Sequence, residues 1–101
     1  MEDDMSEGAQ NQVSVRYFAA ARAATGVEQE DVILDGQLSS GATREQFIEL
    51  LVSLHPEVPA GEPPLSRVLP QCSFLVDGVA LTDSTVAPGN RVDVLPPFAG
   101  G

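Results

Sequence analysis

The chain contains no lysine and no tryptophan, and only one cysteine and one histidine. Each shortage removes a class of chemistry. Cys72 alone excludes an internal disulfide framework. Cys72 and His55 are the only thiol and imidazole, so a Cys2His2-type zinc site cannot be assembled. A Ser-His-Asp arrangement would have to use His55, which stands without evident partners at the predicted end of a helix, where an imidazole suits the carbonyl terminus. Basic charge is scarce too. Fifteen acids face five arginines, for a net charge of −10. The arginines are dispersed, and no phosphate-binding glycine loop lies near them. Such a surface has no electrostatic footprint for nucleic acid or anionic membrane, and suits a basic partner. No apolar run approaches the roughly 20 residues that span a bilayer. The acidic start, Met1-Glu2-Asp3-Asp4-Met5, resembles neither a secretory signal nor a transit peptide. The expectation is a cytoplasmic protein.

What is present fits one globular domain. The 101 residues allow a single core, and 43% hydrophobic with 20% charged residues is ordinary globular composition. Residues 1–12 carry four acids and no base, and read as a disordered tail. Val13-Ser14-Val15-Arg16-Tyr17-Phe18 alternates as a strand does, with Val13, Val15 and Tyr17 inward. An alanine-rich run over 19–25 then meets Gly26 and predicts a short helix with a glycine end. Residues 31–34 predict a second strand. Thr43-x-x-Gln46 matches a capping box. Phe47, Leu50, Leu51 and Leu54, widened by Ile48, follow at helical spacing as one apolar stripe. His55-Pro56 ends that helix. A proline-rich connector leads to a possible helical turn over 65–69.

Two apolar runs, 73–76 and 79–81, flank Asp77-Gly78, which is a strong hairpin signal. Ala87-Pro88-Gly89-Asn90 predicts a further turn, and 92–95 a last strand. One mixed sheet on one main helix, an α+β architecture, satisfies this order. The expected domain is 13–95. It is followed by an extended tail, Pro96-Pro97-Phe98-Ala99-Gly100-Gly101, of about 20 Å at full stretch. The prolines stiffen its exit. The glycines, with no Cβ, let its backbone enter a narrow channel and leave a terminal carboxylate open.

These pieces carry a family resemblance. Val15-Arg16-Tyr17-Phe18-Ala19-Ala20-Ala21-Arg22, the hairpin at Asp77-Gly78, and Gly89-x-x-Val92-Asp93-Val94-Leu95-Pro96-Pro97-Phe98-Ala99-Gly100-Gly101 resemble the MoaD/ThiS-type ubiquitin-like sulfur carriers over residues 13–101. The Pro-Pro-x-x-Gly-Gly ending looks most like the small subunit of molybdopterin synthase. The resemblance implies a β-grasp fold and no catalysis by the chain alone. It implies that an ATP-dependent, E1-like activating enzyme adenylates Gly101, behind Gly100. A sulfur donor then converts the adenylate into a thiocarboxylate. The sulfur passes to a pyranopterin precursor held by the large subunit, in a heterotetramer, for molybdenum cofactor biosynthesis. No bound cofactor is expected.

Alternation places Phe18, Leu75 and Leu95 on the open sheet face as an apolar docking patch, with Phe74, Val76, Val92 and Val94 inward. Pro96, Pro97, Phe98 and Ala99 extend that patch, with Phe98 as an aromatic anchor. Other readings keep a different acceptor (a thiazole, cysteine or a secondary metabolite), a protein modifier joined through Gly101, or a plain interaction domain. Cys72 reads as a buried small hydrophobe. Glu28, Glu30 and Asp31 read as solvated charge.

Overall fold

The computed structural model describes residues 11–97. Its elements are β1 (Gln12–Tyr17), α1 (Ala19–Thr25), β2 (Gln29–Ile33), α2 (Arg44–Leu54), α3 (Leu65–Val68), β3 (Ser73–Val76), β4 (Val79–Ala80) and β5 (Arg91–Leu95). The strands form one sheet in the order β2-β1-β5-β3-β4. The β1–β5 pair is parallel and the others are antiparallel. Residues 1–10 of the expected acidic tail lie outside the described residues. Gln12, also placed in that tail, instead opens β1, where it pairs with Ile33 and its carbonyl accepts from the Gly89 N–H at 2.7 Å.

Register explains why the core is continuous. Val15 stands opposite Val92, Tyr17 opposite Val94, and Val94 opposite Phe74. All five inward side chains are buried. Phe47 and Leu51 of α2, Ala21 and Ala24 of α1, and Leu65 and Val68 of α3 close over them. Phe47 meets Phe74 edge-on, with ring centroids 6.4 Å apart, a favoured aromatic geometry.

Local sequence sets the element ends. Thr43 Oγ1 accepts from the Gln46 N–H at 3.2 Å, and Gln46 Oε1 accepts from the Thr43 N–H at 3.0 Å, completing the capping box. Asp77 and Gly78 have φ of 50° and 87°, as a type I′ turn requires. Gly89 has φ 93°, and the Asn90 N–H reaches the Ala87 carbonyl at 3.1 Å, closing the second predicted turn. The helical turn expected over 65–69 is present over Leu65–Val68.

Three expectations need correction. The second strand starts earlier than 31, because pairing with β1 recruits polar Gln29 and Glu30 that the apolar pattern did not mark. Leu54 is 46% exposed, since the helix stops there, and it borders a surface groove with Thr25, Pro56, Val58 and Pro59. Glu30 is not solvated charge. Its Oε2 accepts from the Tyr17 hydroxyl at 2.5 Å and lies 2.6 Å from His55 Nε2. This cluster ties β1, β2 and the end of α2 together, with the Tyr17 and His55 rings edge-on at 6.0 Å.

Two outcomes follow from the cluster. Burial first, then the hydrogen bond to Glu30 and its charge, push the Tyr17 phenol well above its ordinary range. The raised proton affinity contributes stability that is fully present below the unfolded tyrosine pKa of about 10 and lost as pH rises beyond it. Tyr17 is the only tyrosine. Ultraviolet titration therefore reads it alone, and phenolate absorbance is expected only together with alkaline unfolding, not as a separate step near pH 10. Glu30→Ala leaves a buried hydroxyl unpaired, and is expected to lower stability by about 1–3 kcal/mol in a denaturant titration.

Candidate functional site

The site is built where the first and last strands end side by side. Phe18 leaves β1 in extended geometry and caps α1. Its N–H donates to the Val94 carbonyl at 3.2 Å, and its own carbonyl accepts from the Ala21 N–H at 3.0 Å. Ala19 takes φ 50°, an unusual angle for a residue with a Cβ, and this turns strand directly into helix. The turn holds the Phe18 ring, 37% exposed, near the end of β5. Leu95 of β5 pairs with Ser73, and Leu75 of β3 pairs with Asp93. Both leucines are half-buried. Val76, expected inward, is also only half-buried at the end of its strand.

The outer face holds a feature that side-chain alternation alone did not reveal. Arg16 and Asp93 stand opposite each other on β1 and β5. Arg16 Nε donates to Asp93 Oδ1 at 2.9 Å and Nη2 to Oδ2 at 3.2 Å. The same guanidinium carbon lies 5.6 Å from the centroid of the Phe18 ring, within cation–π range. The face around Phe18, Leu75 and Leu95 is therefore apolar with a two-pronged ion pair among them, not the purely apolar patch expected. The sequence carried the signal, since Arg16 and Asp93 both have outward parity. Pairing them required the parallel register.

Beyond Leu95, Pro96 and Pro97 lie against the two short helices. With Ala20 of α1, Val68 of α3, Pro63 and Gln71 they line a mainly apolar groove. Phe98, Ala99, Gly100 and Gly101, the terminal residues expected to carry the chemistry, lie outside the described residues.

Among the described residues no group of three His, Cys, Asp or Glu side chains is placed to hold a metal ion. No described helix is long and apolar enough to cross a membrane. Cys72 is buried, its thiol donates to the Val68 carbonyl at 3.3 Å, and burial raises its pKa, with Arg44 acting in the opposite sense. Arg44 serves structure: its guanidinium donates to the Pro70 and Cys72 carbonyls at 3.0 and 2.9 Å and covers the Phe74 ring.

A five-stranded mixed sheet with a parallel central pair, wrapped on one main helix and ending beside that pair, defines the β-grasp, ubiquitin-like class. The chain belongs to the ThiS family, whose model matches residues 15–101. Solved structures share the fold. SAMP1 from Haloferax volcanii superposes with a TM-score of 0.62 at 22% identity, covering 89% of this chain and 99% of that one. A protein from Pyrococcus furiosus designated molybdopterin converting factor, subunit 1, gives a TM-score of 0.61 at 26% identity, covering 86% and 98%. No curated protein sequence matches at a significant level.

The Arg16–Asp93 pair is partly open to solvent, with the Arg16 and Asp93 side chains 42% and 21% exposed. Exposed pairs add little to stability. Arg16→Ala is accordingly expected to leave the denaturant midpoint close to that of wild type, measured by denaturant titration.

Proposed function

We propose that this protein is a sulfur carrier, the small subunit of a molybdopterin synthase, with Gly101 as its working residue. One observation carries the reading: the last strand ends beside the Phe18 corner, Pro96 and Pro97 follow it, and the family match continues to residue 101. The Pro-Pro-x-x-Gly-Gly ending, and the 26% identity to the Pyrococcus furiosus protein, support the molybdopterin branch.

The chemistry follows from a carboxylate's poor reactivity. Oxygen is a bad leaving group, so the Gly101 carboxylate must first attack the α-phosphorus of ATP on an activating enzyme. Pyrophosphate leaves and an acyl adenylate remains. A sulfur donor displaces AMP and gives the thiocarboxylate. That sulfur is the nucleophile presented to a pyranopterin precursor on the large subunit. Two such deliveries build a dithiolene, and each spent carrier ends as the carboxylate. This chain supplies the terminus and the docking face. The large subunit supplies the catalytic side chains.

Docking places Phe18, Leu75 and Leu95 in the contact, together with Pro96, Pro97, Phe98 and Ala99. Phe18→Ala and Leu95→Glu are expected to raise the dissociation constant for the large subunit at least tenfold, the equivalent of about 1.4 kcal/mol. Both should retain the wild-type circular dichroism spectrum. Unchanged affinity in both variants contradicts this face.

The function is tested by transfer. The Gly101 thiocarboxylate is prepared, verified by intact mass, and mixed with a molybdopterin synthase large subunit and the pyranopterin precursor. The expected result is dithiolene product, with the carrier mass returning to the carboxylate. A thiocarboxylate that persists unspent contradicts the molybdopterin assignment and directs the search to thiazole and cysteine synthases. Amide adducts on lysines of other proteins instead define a modifier.

A further inference from the structure

The sheet has two edges, and one of them is long enough to accept another strand. β4 offers only Val79 and Ala80. β2, at the opposite edge, runs for five residues, Gln29–Ile33. We propose that the outer edge of β2 is a further interaction surface, which takes an extended segment of a basic partner as an added antiparallel strand. The inference is independent of the carrier reading, since β1 and β5 separate this edge from β3 and Leu75.

Register decides which backbone groups face outward. The Tyr17 N–H donates to the Glu28 carbonyl at 2.9 Å, and the Leu34 N–H donates to the Asn11 carbonyl at 2.9 Å. Residues of an antiparallel strand alternate between bonding toward one neighbour and toward the other. Glu30 and Val32, in step with Glu28 and Leu34, therefore bond toward β1. Gln29, Asp31 and Ile33 direct their N–H and C=O groups away from it. Among the described residues no backbone group outside the sheet is bonded to these three. All three are exposed, Ile33 to 43%. Proteins commonly blunt an edge with a bulge or a proline. Here the pairing with β1 is unbroken over all five positions, and β2 contains no proline.

Charge selects the occupant. Between Arg22 and Arg44 the chain carries Glu28, Glu30, Asp31 and Asp35 and no base. Glu30 is engaged with Tyr17 and His55, whereas Asp31 stands exposed at the middle of the edge. A second copy paired along the whole strand would set Asp31 directly against Asp31, and like charges so placed are destabilising. A cation opposite Asp31 reverses the sign. The backbone groups supply affinity and the side chains supply selectivity, as in other strand additions. The fitting segment has a lysine or arginine opposite Asp31. Two positions toward its own N-terminus it has an apolar residue, opposite Ile33.

The test uses the full chain, isotopically labelled for NMR, and the probe acetyl-Thr-Val-Thr-Lys-Thr-Lys-amide. A counterpart peptide carries glutamate in place of lysine. The lysine peptide is expected to shift the Gln29, Asp31 and Ile33 amide signals and to slow their hydrogen exchange. Changes at Glu30 and Val32 should be smaller, because their N–H groups already bond to β1. The glutamate peptide should leave all of them in place. Asp31→Lys, at an exposed position, is expected to weaken the lysine peptide about fivefold and to confer binding of the glutamate peptide. Absence of shifts at these three amides with millimolar lysine peptide overturns the proposal, as does equal binding of the two peptides to wild type. The same amides shifting on dilution of the protein alone would make a second copy the occupant, and also overturns it. None of these outcomes involves Gly101, so the carrier reading stands or falls separately.

Discussion

Everything in the molecule depends on the parallel pairing of its first and last strands. β1 and β5 lie side by side at the centre of the sheet, with Val15 on Val92 and Tyr17 on Val94, although the paired residues are 77 positions apart. Parallel neighbours need a long crossover, and the whole chain between them serves as one, delivering α2 over the buried face. The pairing also brings Phe18 to the point where the tail departs. Core and site are thus consequences of one register. A one-residue slip would turn Val92 and Val94 outward and bring Asp93 into the core.

The buried and open faces of the sheet have different duties. The buried face is uniform and apolar, as Val13, Val15, Tyr17, Val92 and Val94 dictate. The open face mixes Phe18, Leu75 and Leu95 with the Arg16–Asp93 pair. A mixed surface of this kind remains hydrated, and on the proposed docking face its charges would set orientation. The net charge of −10 favours a partner of opposite sign.

Much of the fold was legible because it is written in local chemistry. The Thr43–Gln46 box, the Asp77-Gly78 turn, the Pro88-Gly89 turn and the alternation from Val13 to Tyr17 each act within a few residues. The Glu30 cluster was not legible, because Tyr17 and His55 reach that carboxylate only after β2 and the end of α2 are packed. Leu54 misled for a related reason: helical spacing marks a face but not where its cover ends. At the site, outward parity identified Phe18, Leu75 and Leu95 without the ion pair among them, which needs cross-strand register. The reading of the terminal residues rests on sequence and family, since Phe98–Gly101 lie beyond the described residues.

The central claim is that the Gly101 carboxylate is the group on which an activating enzyme acts. The most direct measurement is ATP–pyrophosphate exchange catalysed by a MoaD/ThiS-type activating enzyme, comparing the intact chain with one lacking Gly101 and one extended by a single residue. The account predicts exchange with the intact chain and none with either altered terminus. Equal exchange with all three chains, or none with any of them, would contradict it.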